Sequence, residues 1–213
     1  TAHNSGEGDI DTNTHHENPR YLKGISLPNS LIATTDLAEA VSSAELIVPV
    51  IPSHAFREVL QRVAPYLAPS SYLSCATKGI EEGSLDTMWQ VMEDEVTPEY
   101  LNHCSLLYGP SFAMEVATAK PTAVVLAGPS TATDVAAQAF HGGGFRTYHS
   151  DDVMGVCIGG SLKNVMAIAC GVSDGVGLGA NARAALITRG LAEVTRLATS
   201  MGANPLTMMG LAG

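Results

Sequence analysis

The stretch that decides the fold reads Leu46-Ile47-Val48-Pro49-Val50-Ile51-Pro52-Ser53 and continues as far as Val63. Its first six residues are apolar, which is typical of a strand buried on both faces of a parallel sheet. Ser53 is a residue type that caps helices, and the residues after it repeat at spacings of three and four. This helix face consists of Phe56, Val59, Leu60 and Val63. A buried strand followed by an amphipathic helix predicts an α/β fold.

The same alternation continues on both sides of this stretch. Apolar runs predict buried parallel strands at residues 31–34, 46–51, 72–76, 105–108, 122–127 and 146–149. Helical spacing predicts helices at residues 36–41, 53–63, 86–92 and 131–140. After Ser150 the strands stop, Asp151 or Asp152 can cap a helix, and helical spacing continues with a break near residues 173–175. The chain is therefore predicted to place a parallel sheet before a helical part, with the boundary near residue 150.

Composition limits the classes of function. The chain has 213 residues and a formal net charge of −10, which argues against nucleic acid or an anionic membrane as a partner. No apolar run in the sequence is predicted to reach the length of a membrane span, and no secretory signal is visible. The cysteines have no CxxC spacing, which predicts reduced thiols and a cytoplasmic protein. His15 and His16 have no ligand partners at metal-binding spacing, so we predict no metal site.

Lys163 is an unusual cation in a small and apolar stretch, Gly159-Gly160-Ser161-Leu162-Lys163-Asn164. On a helix its neighbours one turn away would be Gly159, Gly160 and Ala167, which leaves room for a ligand to approach the ammonium. Burial lowers the pKa of an ammonium, and such a group can exchange a proton with a carbonyl or alcohol oxygen. Spacing alone also allows, and favours, a lysine that snorkels out of a packed helix pair.

Several junctions between a predicted strand and the next element have turn or capping chemistry. They are Thr35-Asp36, Pro52-Ser53, Thr77-Lys78-Gly79 and Gly109-Pro110-Ser111. The carboxyl ends of parallel strands form the ligand-binding edge of an open sheet, and a helix start favours a phosphate. The alternative is that these residues serve only as caps and turns, with Lys78 a solvated lysine beside a turn glycine.

Six motifs, in order, resemble the NAD(P)-dependent glycerol-3-phosphate dehydrogenase family. They span about nine-tenths of the sequence and are His16-Glu17-Asn18-Pro19-Arg20-Tyr21-Leu22, Val50-Ile51-Pro52-Ser53, Thr77-Lys78-Gly79-Ile80-Glu81, Gly109-Pro110-Ser111-Phe112-Ala113, Gly160-Ser161-Leu162-Lys163-Asn164, and residues 181–190. Other dehydrogenases with a helical second domain place a lysine and an asparagine one helical turn apart. Here Lys163 and Asn164 are adjacent, which favours the glycerol-phosphate family.

The resemblance implies an α/β fold, an incomplete doubly wound parallel (Rossmann-like) sheet followed by the start of an all-α substrate domain. It divides the chain into a flexible lead-in at 1–15, a dinucleotide-binding domain at 16–150 that lacks its first strand, and a helical substrate domain at 151–213. The cofactor would be NAD or NADP. The reaction would be reversible hydride transfer between NAD(P)H and dihydroxyacetone phosphate, giving sn-glycerol 3-phosphate for glycerophospholipid synthesis. A homodimer is a further expectation.

The resemblance also implies roles for individual residues. Lys163 would be catalytic, as the proton donor to the carbonyl oxygen. The substrate would contact Lys78, Gly109, Ser111, Lys163 and Asn164. The cofactor would contact Pro52, Lys78 and Ala113. Asp174 is expected to cap a glycine-rich turn rather than orient a lysine, and Arg183 and Arg189 are expected to form ion pairs.

Two parts of the family pattern have no counterpart in the sequence. Residues 1–14 lack the Gly-x-Gly-x-x-Gly turn that holds the cofactor pyrophosphate, and the family's Arg-Asn pair for the substrate phosphate would follow Gly213. We therefore expect weak activity from residues 1–213 alone. The alternative is a non-catalytic remnant of such an enzyme, which acts, if at all, as a binding fragment.

Overall fold

Strands and helices alternate through the first two-thirds of the computed structural model, which describes residues 12–212. The strands are β1 Leu46–Ile47, β2 Tyr72–Cys75, β3 Cys104–Tyr108, β4 Thr122–Ala127 and β5 Phe145–Ser150. The α-helices are α1 Leu37–Val41, α2 Ser53–Val63, α3 Met88–Glu95, α4 Pro98–Leu101, α5 Ala113–Ala117, α6 Ser130–Phe140, α7 Val153–Gly175 and α8 Gly179–Ser200. Short 3₁₀ segments cover Ala64–Tyr66 and Pro205–Met209.

The five strands form one sheet in the order β1-β2-β3-β4-β5. The predicted α/β class, with a helical part after the sheet, is confirmed. The sheet is not wholly parallel, however, because β4 runs antiparallel to β3, with Leu107 opposite Leu126. The connection between these strands contains only the five-residue helix α5. A parallel return needs a longer crossover, such as the eleven-residue helix α6 that joins β4 to its parallel neighbour β5.

Helices cover both faces of the sheet, as a doubly wound fold requires. Every residue of β3 is buried, and successive side chains point to opposite faces. Leu106 and Tyr108 belong to a core that includes residues of α2, α3 and α7. Leu107 belongs to a second core with Ala136 of α6. The central strand therefore lies between two helical layers, and its C-terminal end is fixed from both sides.

Two predicted strands differ from the structure. Residues 31–34 form no strand, and Ile32 is 75% exposed, so this apolar run has no neighbouring strand to bury it. β1 is shorter than the predicted 46–51 because Pro49 has no N–H to donate to a ladder. The Pro49 carbonyl still accepts a hydrogen bond from Ala76 N at 2.9 Å. The rest of this run therefore follows β2 without regular pairing.

The end of the predicted lead-in is ordered. Residues 12–15 are helical, and Thr12 is buried. The side chain of Asn13 donates to the Ala33 carbonyl at 2.8 Å and accepts from the Ala33 N–H at 2.7 Å. These paired bonds tie residues 12–15 to the chain before α1, so the expected flexibility of 1–15 is wrong for this part. The remainder of the predicted lead-in, residues 1–11, lies outside the described residues.

The helical part begins three residues after the last strand. Asp152 caps α7 by accepting from the Gly155 N–H at 2.9 Å, as predicted for Asp151 or Asp152. Helices α7 and α8 pack together around Ile158, Ala198 and Met208.

Contrary to the sequence expectation, α7 is long and apolar enough to cross a membrane by length and composition. This helix packs on the sheet and on α8, but only 33% of its apolar window is buried.

Candidate active site

The ends of β2 and β3 meet at the carboxyl edge of the sheet and bring Lys78 to Gly109. Lys78 Nζ donates to the Gly109 carbonyl at 3.0 Å. The buried hydroxyl of Tyr108 donates to the Thr77 carbonyl at 2.6 Å. Gly109 has φ +151°, and a Cβ there would lie 2.9 Å from Val124 Cα. Glycine is therefore required for β3 to end so close to β4.

The start of α2 lies against the same turn. Gly79 has φ +131°, and a Cβ there would lie 2.8 Å from Ser53 Oγ. Thr77 Oγ1 also accepts from the Ile51 N–H at 3.1 Å. The prediction that Ser53 is the N-cap is wrong: Pro52 holds that position, Ser53 is the first helical residue, and no side chain caps the helix. The first N–H groups of α2 are therefore not satisfied by a capping side chain.

Helix α7 packs on these strand ends through two consecutive residues. A Cβ at Gly160 would collide with the Tyr108 ring, so the ring fills the space beside this glycine. Ser161 Oγ lies 2.9 Å from the Gly79 carbonyl oxygen and 2.7 Å from the Cys157 carbonyl oxygen. The sequence expectation of open space beside Gly160 is therefore wrong, and Gly159 borders the open side instead.

Lys163 lies one turn along α7, at the edge of a cleft of about 330 Å³. Its Nζ donates to the Leu211 carbonyl at 2.6 Å. Apolar side chains of α7, α8 and the 3₁₀ segment form most of the cleft wall, among them Met166, Leu191 and Met208. A snorkelling lysine would extend its ammonium into water, whereas this ammonium is held by a protein carbonyl.

The electrostatics of the two lysines are coupled. Burial lowers the pKa of Lys163, and the positive charge of Lys78 lowers it further. Burial also lowers the pKa of Lys78. The acceptors of both ammonium groups are neutral carbonyls, which stabilise a cation less than a carboxylate would. The pair is therefore suited to lose and regain a proton more easily than ordinary lysines.

The other predicted site residues differ in burial and in their hydrogen bonds. Ser111 is partly buried, and its hydroxyl makes only a long contact of 3.5 Å with the Gly109 carbonyl. Pro52 and Ala113 are exposed at the starts of α2 and α5. Asn164 is exposed next to Lys163, and its side chain makes no hydrogen bond within residues 12–212. The structure thus joins Lys78, Gly109 and Ser111 directly, and leaves the other three open to solvent.

Some residues that shape the site were not identified from the sequence. Tyr108, Ser161 and the Leu211 carbonyl each contact a site residue or its neighbour. Tyr108 has a sequence signal, because an aromatic residue ending a buried strand needs a partner for its hydroxyl. A backbone carbonyl such as that of Leu211 has no side-chain signature, so no sequence pattern could have identified it.

The charged residues after Lys163 form ion pairs on the helix surface. Arg183 pairs with Asp174 at 2.5 Å, and Arg189 pairs with Glu193 at 3.1 Å, as predicted for both arginines. The prediction for Asp174 is wrong, since its side chain binds Arg183 rather than capping the turn. These groups are exposed, and within residues 12–212 they make no hydrogen bond to the lysine pair.

Comparison with known proteins gives the relationship. The sequence model of the NAD-dependent glycerol-3-phosphate dehydrogenase N-terminus matches residues 7–134, and that of the C-terminus matches residues 152–213. The chain belongs to the NAD-dependent glycerol-3-phosphate dehydrogenase family. The resemblance seen in the six motifs is confirmed. This family has an N-terminal and a C-terminal part, and Lys78 and Lys163 come from different parts.

Individual relatives agree with the family assignment. The chain is 50% identical over 202 residues to a glycerol-3-phosphate dehydrogenase (NAD(P)+) of Myxococcus xanthus, covering 94% of this chain and 60% of that protein. A Xanthomonas campestris protein of the same name is 49% identical, with 93% of this chain and 58% of that protein covered. A crystal structure of glycerol-3-phosphate dehydrogenase from Coxiella burnetii superposes on this chain with TM-score 0.90 at 38% identity. The match covers 98% of this chain and 63% of that chain. The chain thus spans about 60% of the length of these curated relatives.

Proposed function

We propose that this chain carries the catalytic lysine of an NAD(P)-dependent oxidoreductase that interconverts dihydroxyacetone phosphate and glycerol 3-phosphate. The observation that carries the proposal is the pair of partly buried lysines, Lys78 and Lys163, at the carboxyl edge of the sheet. Membership of the glycerol-3-phosphate dehydrogenase family supports it. The non-catalytic alternative is not favoured, because the chain is about 50% identical over more than nine-tenths of its length to proteins named as glycerol-3-phosphate dehydrogenases.

The residues around the edge fit a nicotinamide cofactor. Val50 and Phe112, which are close in sequence to Pro52 and Ala113, are 72% and 73% exposed, so each predicted cofactor contact has an exposed apolar side chain near it. The start of α2 has no side-chain cap, so its N–H groups can face a phosphate. Pro52, Lys78 and Ala113 would hold the cofactor here. When bound, the cofactor supplies or accepts a hydride at the substrate carbon.

Lys163 has the chemistry of the proton donor and acceptor. In the reducing direction its Nζ–H gives a proton to the substrate oxygen, and in the oxidising direction the neutral amine takes a proton from the secondary alcohol. The lowered pKa of Lys163 favours this exchange. Lys78 places a positive charge next to the same oxygen or next to the substrate phosphate. The Gly109 N–H and the Ser111 hydroxyl would donate hydrogen bonds to the substrate.

A test of the function uses a chimera. In the chimera, the aligned part of this chain replaces the matching 202 residues of the Myxococcus xanthus relative. The lysines are then assayed in a protein of the relative's full length. We expect oxidation of NADH or NADPH by dihydroxyacetone phosphate, measured as loss of nicotinamide absorbance. Lys163→Met should lower kcat by about 10² to 10⁴ with a smaller change in KM.

Lys120→Met is the matched control, because Lys120 is exposed and forms a long ion pair with Glu115 at 3.8 Å. Turnover by Lys163→Met equal to that of the control would reject the acid–base role. The homodimer and the cytoplasmic location stay predictions, which sedimentation of the purified protein and cell fractionation would check.

A further inference from the structure

The Ser161 hydroxyl contacts two carbonyl groups but has only one hydrogen to donate. One acceptor, the Cys157 carbonyl at 2.7 Å, lies one turn back on α7, the ordinary partner of a serine inside a helix. The other acceptor, the Gly79 carbonyl at 2.9 Å, comes from a turn 82 residues earlier in the chain. The second contact is not needed to form α7. It joins the helix of Lys163 to the turn of Lys78.

The turn that receives this contact is held on two other sides. Gly79 lies directly against Ser53 at the start of α2. Lys78 Nζ is bound to the Gly109 carbonyl at 3.0 Å. Ser161 thus joins this turn directly to α7, in addition to the indirect link through Tyr108, which binds the Thr77 carbonyl and packs at Gly160. It is two residues from Lys163 in sequence, and Gly79 is adjacent to Lys78.

We propose that Ser161 is a positioning residue, which holds the Lys78–Gly79 turn on α7 and thereby sets the separation between the Lys78 and Lys163 ammonium groups. Its importance for catalysis rests on the function proposed above. Without the hydroxyl, the turn keeps its contacts with Ser53, Gly109 and Tyr108 but loses this contact with α7, so Gly79 and Lys78 can shift away from the helix. Because the repulsion between two like charges falls with their separation, Lys163 then holds its proton more strongly.

Other charged groups near α7 have partners elsewhere. On α3, Glu93 accepts from Trp89, while Asp94 and Glu95 bind Arg57. The charged residues of α8 pair with Asp174 or with one another. Strands β3 and β4 and the segment Pro205–Met209 contain no Asp, Glu, Lys or Arg. Lys78 is therefore the charged group through which a movement of the turn acts on Lys163, in agreement with the causes of its lowered pKa.

The test is an NMR titration of the chain with ¹³C-labelled lysine, following each Cε shift with pH. The sequence has four lysines, Lys23, Lys78, Lys120 and Lys163, so single Lys→Met variants assign every signal. We expect Ser161→Ala to raise the titration midpoint of Lys163 by about 0.3 to 1 pH unit. Ser161→Thr, which keeps the hydroxyl, should restore the wild-type midpoint. Ser173→Ala is the matched control, since Ser173 is a buried serine of α7 whose hydroxyl has no hydrogen-bond partner within residues 12–212.

A second background separates positioning from a general loosening of the helix. In Lys78→Gln the charge is gone, so the midpoint of Lys163 is already raised and Ser161→Ala should add nothing. An unchanged Lys163 midpoint in Ser161→Ala, or the same shift in both backgrounds, would overturn the proposal. If Ser161→Ala lowers the folded fraction seen by circular dichroism, Ser161→Cys is used instead. Its slightly larger thiol fills the site but donates only weakly, and the Lys163 midpoint is compared in the same two backgrounds.

The titration does not depend on turnover. A chimera without turnover, combined with a Ser161-dependent midpoint, would count against the proposed function alone. Turnover combined with a Ser161-independent midpoint would count against the positioning role alone.

Discussion

The Tyr108 hydroxyl donates a 2.6 Å hydrogen bond to the Thr77 carbonyl, while the Tyr108 ring fills the space beside Gly160. A single buried side chain thus touches the end of β2 and the helix that carries Lys163. Burial raises the pKa of Tyr108 well above its ordinary value, so the hydroxyl stays protonated and remains a donor. The relative position of Lys78 and Lys163 depends on this contact as well as on Ser161.

Tyr108→Phe should destabilise the fold by about 1–3 kcal/mol, because the buried Thr77 carbonyl loses its main donor. The remaining donor is the Cys75 thiol at 3.7 Å, which is weak. Urea unfolding followed by circular dichroism measures the change. Tyr66→Phe is the control, since Tyr66 is 47% exposed and its hydroxyl makes no hydrogen bond within the described residues. Equal unfolding midpoints for the two variants would show that the Tyr108 bond contributes nothing.

Lys78→Met in the chimera should weaken binding of both glycerol 3-phosphate and cofactor, because Lys78 lies between the ends of β2 and β3. Ser111→Ala should weaken the substrate alone, by about 0.5–1.5 kcal/mol for one lost hydrogen bond. Calorimetric titration measures both affinities. The placement of these residues at the substrate is wrong if neither variant changes either affinity.

The free energy of unfolding should rise with pH through the lysine pair. Because the folded pKa values of Lys78 and Lys163 are lowered, the unfolded state binds more protons at these groups, and raising the pH favours the folded state. The gain should accumulate as the pH rises from the lowered pKa values of the two lysines toward the ordinary lysine value. The variant Lys78→Met/Lys163→Met should lack it.

Comparing the wild-type protein with the Lys78→Met/Lys163→Met variant removes an opposing effect of pH on stability. Burial raises the pKa of Cys104 to about 12, so its thiol ionises first in the unfolded chain and favours unfolding at high pH. This contribution is common to both proteins. Urea unfolding at a series of pH values therefore isolates the lysines. A stability difference that stays constant with pH would contradict the coupling.

Asp152→Ala should lower the free energy of unfolding by about 2–4 kcal/mol, because this carboxylate accepts three hydrogen bonds. They come from Gly155 N at 2.9 Å, Asn204 N at 2.9 Å and Thr207 Oγ1 at 2.6 Å. Asp151→Ala removes an exposed carboxylate beside it that caps nothing, and serves as control. The melting temperature of Asp152→Ala should be clearly lower than that of Asp151→Ala. Similar melting temperatures would show that the hydrogen bonds of Asp152 do not stabilise the contact between α7 and the Pro205–Met209 segment.

The secondary structure was predictable where its signal is local. The helix predicted at 53–63 and the strand at 122–127 have the bounds that the structure shows. Helix α3 begins later than predicted because Thr87 and Gln90 form a capping box. The failures at residues 31–34 and 49–51 have a different origin. An apolar run becomes a strand only if a neighbour can accept its hydrogen bonds.

The site was predictable in its residue types and not in its geometry. Lys78, Gly109, Ser111 and Lys163 were predicted from motifs, because residue identities and their spacing are visible in a sequence. Their contacts with Tyr108, Ser161 and the Leu211 carbonyl were not visible. A carbonyl has the same chemistry at every position, so its role as acceptor depends only on where the chain brings it.

The sequence by itself determined the α/β class and the family, and it predicted the two lysines that we propose carry the chemistry. Each of these depends on local periodicity or on residue identity. Only the tertiary structure decided the antiparallel joint between β3 and β4, the contact of Ser161 with Gly79, and the lowered pKa of Lys163. These properties depend on distances between residues far apart in the chain. Such distances are set by packing of the whole core, which no local pattern encodes.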